Sequence, residues 1–271
     1  MSELTAAVPR RTSQTHSALV LVEKELRDLW LSGRGLVFLL AQSVLLSGIT
    51  YLIATNQELN FLEQREALSL LVQVTVAVGG LLVVLTAADA VSGERERGTL
   101  ETLLLTPASR RWIVAANGVA TLSLWLAAFL LALPYLWWIG RDIDTFGSAA
   151  VGTFVVGTML ALIVTGLGLL VSTFTQSNSV SIGLTFFTLL ALYAPSQLPA
   201  EASRGWAGEL LLRLDPFTAG LTYLDRLVIG AHPLTQDASL LVVPALLAVL
   251  LPALALAAAG RLSLLPRWAV R

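Results

Sequence analysis

The sequence of 271 residues has no cysteine, two histidines and a single lysine, and only 13% of its residues carry charge. Without cysteine there is no disulfide framework and no thiolate nucleophile, and two histidines do not make the cluster typical of a zinc site. A P-loop for nucleoside triphosphates needs a lysine followed by Ser or Thr after a glycine-rich turn. Lys24 is followed by Glu25, so this chain has no P-loop.

The scarcity of charge is matched by an excess of apolar residues. Hydrophobic residues make up 56% of the chain, and the mean hydropathy is +0.77. A soluble domain usually carries about 25% charged residues, so a surface that faces lipid explains this composition better than one that faces water. The formal net charge of −1 gives no indication of nucleic-acid binding, and the sequence has no basic domain.

Six apolar segments are long enough to cross a bilayer, whose hydrocarbon core requires about 20 mostly apolar residues per helix. They cover residues 35–54, 68–88, 113–139, 149–174, 180–198 and 239–259. The chain is therefore predicted to be an all-α polytopic membrane protein with six transmembrane helices in one domain, residues 35–259. Small residues recur every fourth position in the fourth segment and predict a close helix contact there. They are Thr153, Gly157, Ala161 and Thr165.

The segments that flank the spans are amphipathic or polar. Residues 17–34 predict an amphipathic helix, because Leu19, Val22 and Leu26 fall at helical spacing between charged residues. Next to a span, such a helix is expected to lie in the membrane interface, and a plain solvated helix is the alternative. Residues 1–16 predict a disordered cytosolic tail, and residues 260–271 a short C-terminal tail.

The longest connection, residues 199–238, is predicted to hold two short amphipathic helices that dip into the membrane or lie on it. Leucines after Trp206 share one helical face, and Phe217 begins a second apolar face. Between the two faces, Asp215 followed by Pro216 has the pattern of an N-cap with proline at the first helical position.

The distribution of positive charge predicts the orientation in the membrane. Twelve of the 17 lysine and arginine residues lie in the N-terminal region, in residues 95–111 or in the C-terminal tail. By the positive-inside rule, these three regions face the cytosol, and the 199–238 connection faces outward. We therefore expect a multi-pass protein of the plasma (inner) membrane with both termini cytosolic.

Residues 89–111 form the polar stretch of the chain, between the second and third spans. We expect Gly93 to end the second membrane helix and Pro107 to end a short helix outside the bilayer. On that short helix, Leu100, Leu103 and Leu104 share an apolar face. Periodicity alone leaves two interpretations equally open: the helix rests on its own protein, or it docks in a groove of a cytosolic subunit.

A family resemblance favours the second interpretation. Residues 93–110 read Gly-Glu-Arg-Glu-Arg-Gly-Thr-Leu-Glu-Thr-Leu-Leu-Leu-Thr-Pro-Ala-Ser-Arg, which resembles the signature of ABC-2-type permeases, the membrane subunits of ATP-binding-cassette exporters. The rest of the chain resembles this family less specifically, through its six spans and its charged loop after the second. Family members often carry Gly-Lys after the motif, where this chain has Ala116-Asn117, so no role of that lysine transfers.

The resemblance implies that residues 98–107 are a coupling helix seated on a separate cytosolic P-loop ATPase, present in two copies. ATP and Mg²⁺ would bind the ATPase, this chain would hold no cofactor and no catalytic residue, and a second or homologous permease would complete the transporter in the bilayer. The residues expected to contact the ATPase are Glu94, Arg95, Glu96, Gly98, Thr99, Leu100, Glu101, Leu103, Leu104, Thr106 and Pro107.

The spans carry little fixed charge, which suits a lipophilic drug or a lipid-like substrate that is exported. Polar residues expected along the transport path are Gln42, Gln73, Thr75, Ser181, Thr185 and Thr188. A stand-alone secondary transporter is the main alternative, although the spans lack the charged groups that couple ions. An intramembrane enzyme is a weaker one, because His16 and His232 both lie outside the spans.

Overall fold

A computed structural model describes residues 14–55, 61–105, 109–197 and 205–261, and all regular secondary structure in these ranges is helical. The ten α-helices are α1 (Gln14–Trp30), α2 (Arg34–Ala54), α3 (Phe61–Glu96), α4 (Thr99–Leu104), α5 (Arg110–Gly140), α6 (Phe146–Phe174), α7 (Asn178–Tyr193), α8 (Trp206–Leu214), α9 (Pro216–Val228) and α10 (Val242–Ala258). Short 3-10 turns follow α7 and α10 and precede α10.

Six of these helices are long and apolar enough to cross a membrane: α2, α3, α5, α6, α7 and α10. The chain therefore reverses direction at each connection, which places α1 and α4 at one end of the bundle and α8 and α9 at the other. We call these the α4 end and the α9 end. The all-α fold with six spans is confirmed.

The second span is longer than the sequence predicted at both of its ends. It begins at Phe61, before the predicted start at residue 68, and its 36 residues correspond to about 54 Å of helix. Gly93 does not end this helix, because the N–H of Arg97 donates to the Gly93 carbonyl at 3.0 Å. The chain leaves the helix at Gly98 instead, whose φ of +72° lies in the left-handed region that favours glycine.

Helix α6 lies at the centre of the bundle and packs against α3, α5, α7, α9 and α10. All four small residues of the predicted contact stripe on α6 are buried. The indole of Trp125, on α5, fills the space left by two glycines: a Cβ would lie 2.3 Å from it at Gly157 and 2.5 Å at Gly79. The stripe is thus a packing surface, since a larger side chain at Gly157 would displace Trp125.

The two predicted helices of the outer connection are present, and they differ in environment. Asp215 caps α9 by accepting the N–H of Thr218 at 2.6 Å, with Pro216 in the first turn, as the sequence predicted. Helix α9 is buried against the bundle, and its Leu227 lies over Gly152 of α6. Helix α8 instead leaves Trp206 82% exposed, so only α8 presents an open apolar face to the surroundings.

Helix α1 packs on α5 at the α4 end. One side buries Leu21 and Leu29, while Leu19 and Val20 remain exposed. The Trp30 indole donates to the Ser123 hydroxyl at 3.2 Å. A helix with one apolar side on the bundle and another left open suits the predicted interfacial position. A tail was predicted over residues 1–16. Residues 1–13 lie outside the described residues, and the last three residues of the predicted tail belong to α1, which begins at Gln14.

Candidate functional site

The candidate site is centred on α4, which stands outside the transmembrane helices. Its Leu100 is only 4% exposed and packs in an apolar cluster with Val91, Val114 and Ala255 of three spanning helices. Leu105, directly after α4, is 77% exposed. The apolar face that the sequence predicted is therefore covered by the protein itself at Leu100.

The outward side of α4 is formed by exposed residues that the leucine periodicity did not single out: Glu101, Thr102 and Leu105. Among the predicted contact residues, Glu96, Gly98 and Thr99 are also exposed, Arg95 and Leu104 are half-buried, and Glu94 is buried. Thr106, Pro107 and the side chain of Leu103 lie outside what the structure describes.

Polar contacts hold the end of α3 to α6 and the start of α4 to α3. The Arg95 guanidinium donates to the carbonyls of Thr173 and Thr175 at the C-terminal end of α6, where helix carbonyls lack intrahelical donors. The Thr99 hydroxyl donates to the Glu94 carbonyl at 3.2 Å. Arg95 thus has a role within the chain that its sequence position alone did not indicate.

About two turns before the end of α3, the buried Asp89 joins three helices. Its carboxylate lies 2.8 Å from the Arg34 guanidinium of α2 and accepts the Asn178 amide of α7 at 2.7 Å. Arg97, after α3, approaches the same carboxylate at 3.5 Å. Gly93 leaves room for this carboxylate, because a Cβ there would lie 2.1 Å from Asp89 Oδ1.

Serine hydroxyls bind the backbone of α3 at this level. Ser172 of α6 accepts the N–H groups of Val91 and Ser92 at 3.0 and 2.8 Å. Ser181 of α7 donates to the Ala88 carbonyl at 2.8 Å. Hydroxyls inserted beside a helix backbone commonly mark a bend. The turn of α3 that leads into α4 is therefore tied to both α6 and α7.

Glu94 faces α1 rather than solvent. The Lys24 ammonium lies 3.1 Å from Glu94, 2.7 Å from Glu25 and 3.4 Å from Asp28. Partial burial disfavours the charge on Lys24, but the carboxylates of Glu25 and Glu94 outweigh this and raise the pKa of Lys24 above its usual range. The sequence missed this pairing, because 70 residues separate Lys24 from Glu94.

The six residues predicted for the transport path are spread over several helix contacts. The Gln42 amide donates to the Ala128 carbonyl at 3.0 Å, and that of Gln73 to Asp225 of α9 at 2.9 Å. The hydroxyls of the other four each donate to a backbone carbonyl; they belong to Thr75, Ser181, Thr185 and Thr188. Of these six residues, Thr188 lines an apolar space of about 480 Å³ between α6, α7, α9 and α10.

Comparison with known proteins places the chain in a family. Residues 19–262 match the family model described as "ABC-2 family transporter protein". The matched region begins in α1 and contains all six candidate spans together with α4. No curated protein matches the chain.

Proposed function

We propose, since the chain belongs to the ABC-2 family of transporter proteins, that it is the permease subunit of an exporter driven by ATP hydrolysis on separate cytosolic subunits. The match and the six candidate spans make it a multi-pass transmembrane transporter permease. The proposal adds the direction of transport, the location in the plasma membrane with the α4 end cytosolic, two ATPase subunits that bind ATP and Mg²⁺, and a second copy or a homologous permease.

The geometry of α4 is the observation that carries the proposal. Leu100 fixes this helix to α3, α5 and α10, while Leu105 is left exposed beside Glu101 at a polar end of the molecule. An exposed leucine flanked by polar groups is the pattern of a protein contact with an apolar centre and a polar rim. We propose that the ATPase receives this outward side.

The bonds around α4 would transmit ATPase movement to the membrane. Arg95 links the end of α3 to α6, and Asp89 links α3 to α2 and α7. A displacement of α4 would therefore be transmitted to four spanning helices through polar contacts as well as through apolar packing. Such contacts have discrete geometries and favour a change between two arrangements over a gradual deformation.

The apolar cavity supports a lipophilic substrate. Its volume of about 480 Å³ lies within the ~300–1,000 Å³ of ordinary ligand sites. It is lined by leucines of α6 and α10 together with Thr188 and Asp215. An apolar lining with few polar groups suits a drug-like or lipid-like molecule that enters from the bilayer.

Co-purification with candidate P-loop ATPases of the source genome tests the proposal. We expect Leu105→Asp to abolish ATPase binding, because a charge would replace the exposed apolar centre of the contact, while the permease keeps its unfolding temperature. Leu234→Asp places the same charge on a half-exposed leucine outside the spans at the α9 end and should leave ATPase binding unchanged. Equal ATPase binding and hydrolysis with Leu105→Asp and wild type would refute docking on α4.

A further inference from the structure

A polar cavity of about 320 Å³ lies beneath α1 at the α4 end, between α1, the start of α2, α3 and α5. It is separate from the outward side of α4 and from the apolar cavity at the α9 end. Its lining includes the apolar residues Leu29, Ala90 and Ala120 together with charged residues. The charged residues form two ion-paired groups, an acidic wall centred on Lys24 and a basic wall centred on Asp89.

The acidic wall has more negative charge than its one cation can balance. It consists of Glu25, Asp28 and Glu94, and all three carboxylates share the single ammonium of Lys24. The Glu94 side chain is only 9% exposed, and its Oε1 is the atom that bonds Lys24. Its Oε2 is buried and has no hydrogen-bond partner among the described residues. Such an oxygen favours a ligand that brings an N–H donor and a positive charge.

The basic wall has the opposite imbalance. Arg34 and Arg97 line it, and the single carboxylate of Asp89 lies between them. About half of each guanidinium side chain is exposed, so both retain donors for an anion. Guanidinium groups bind phosphate with paired hydrogen bonds. The cavity thus presents an acidic wall and a basic wall at once.

We propose that this cavity binds the headgroup of a zwitterionic aminophospholipid. Its primary ammonium points at Glu94, and its phosphate lies against Arg34 and Arg97. Such a headgroup carries an ammonium and a phosphate joined by a short linker. It complements both walls and adds no net charge. The volume lies at the lower end of ordinary ligand sites, which suits a headgroup rather than a whole lipid.

The position of the cavity favours a membrane lipid over a soluble zwitterion. Helix α1, which covers it, exposes Leu19 and Val20, and an amphipathic helix of this kind lies at headgroup depth. Arg34 is the first residue of a spanning helix. The cavity therefore opens where phosphate and ammonium groups of the bilayer are concentrated, and the acyl chains can stay in the bilayer.

Native mass spectrometry of the purified full-length chain tests the proposal with phosphatidylethanolamine, phosphatidylcholine and phosphatidylglycerol of matched acyl chains. The quaternary ammonium of phosphatidylcholine has no N–H donor, and phosphatidylglycerol has no cation. We expect phosphatidylethanolamine to bind about tenfold more tightly than either, the scale of one charge-assisted hydrogen bond. Equal binding of the ethanolamine and choline lipids by the wild type would overturn the proposal.

Variants locate the preference within the cavity. Glu94→Gln removes the charge that faces the ammonium and should reduce the preference for the ethanolamine lipid over the choline lipid to about twofold or less. Glu96→Gln changes an exposed carboxylate that does not line the cavity and should keep the full preference. If Glu94→Gln fails to fold, Arg97→Gln provides the same test from the phosphate side, through loss of phosphatidylethanolamine binding. An undiminished preference in Glu94→Gln, or undiminished phosphatidylethanolamine binding by Arg97→Gln, would overturn the site.

Competition separates the lipid from a soluble source of the same chemistry. Glycerophosphoethanolamine carries the same ammonium and phosphate without acyl chains. We expect it to displace the lipid only in large excess, because the acyl chains contribute to binding from the bilayer. Binding of the soluble compound as tight as that of the lipid would overturn the assignment to a membrane lipid.

Discussion

At the scale of single residues, Gly93 illustrates how one missing side chain permits a charge network. The Asp89 carboxylate occupies the space that a Cβ of Gly93 would need. From there it meets Arg34, Arg97 and Asn178. A glycine inside a helix costs about 1 kcal/mol relative to alanine. At this position the cost is offset, because the buried carboxylate gains three charged or polar partners.

Substitution of this glycine gives a prediction at the residue scale. Gly93→Ala should destabilise the protein by about 1–3 kcal/mol, because the added methyl group must displace a carboxylate held by three partners. Thermal unfolding in detergent measures the effect. Gly80 lies on the same helix, and a Cβ added there would have no neighbouring atom within 4 Å. Gly80→Ala should therefore leave stability unchanged or raise it slightly. An unfolding temperature of Gly93→Ala equal to that of Gly80→Ala would contradict this account of the network.

Which single residues the sequence could place depends on how local their contacts are. Asp215 and Pro216 were predicted as a helix start, and this is confirmed, because an N-cap is decided within four residues. Glu94 was predicted to meet a partner protein, yet it is buried beside Lys24. The alternation of charge around Glu94 indicates only that this carboxylate needs an oppositely charged partner. It does not report whether another helix of the same chain supplies it.

At the scale of elements, the segment after α9 is held by a compact polar cluster. Asp237 accepts from Arg226 and lies against His232, each at 2.7 Å, and the Tyr223 hydroxyl donates to the Leu234 carbonyl at 2.8 Å. These bonds fold residues 229–241 back onto α9. The contacts to His232 and Arg226 lower the pKa of Asp237 below its usual value of 3.8.

The direction of this pKa shift predicts how stability depends on pH. Because the folded protein favours ionised Asp237, the contribution of this carboxylate to the free energy of unfolding is fully present above about pH 4. It is lost as pH falls through the lower pKa of the folded state. Asp237→Asn should therefore lower the unfolding temperature at neutral pH, and the difference from wild type should shrink below pH 4. Asp142→Asn, in the exposed turn after α5, serves as the control. A difference that stays constant from pH 7 to pH 3 would disprove the role of Asp237.

Element boundaries and element contacts were not equally predictable. The apolar segments located all six spans, because lipid imposes a minimum apolar length. The periodicity of α4 identified its apolar face, but it did not show that Leu100 is buried against α3 and α5. The periodicity shows only that an apolar face must be buried against another surface. Whether the cover comes from the same chain or from a partner is decided by tertiary packing. Thr102 and Leu105 therefore emerged from the structure, whereas Glu101 was already predicted as a contact residue.

At the scale of the whole molecule, the orientation in the membrane decides whether an ATPase can reach α4 at all. Successive spans place Glu101, before α5, and Asp144, after it, at opposite ends of the bundle. Most of the positive charge flanks the α4 end, and by the positive-inside rule this end is expected in the cytosol. The sequence provides a direct way to test this, because the chain contains no cysteine.

Single introduced cysteines and a membrane-impermeant maleimide test this orientation. In intact cells we expect Asp144→Cys to be labelled and Glu101→Cys to be labelled only after the cells are opened, since both side chains are exposed but face opposite compartments. Leu130→Cys, at an exposed position within the candidate span of α5, should resist the reagent in both conditions. Labelling of Glu101→Cys in intact cells would place α4 outside and exclude a cytosolic ATPase on it. Labelling of both exposed cysteines from one side would instead show that α5 does not cross the membrane.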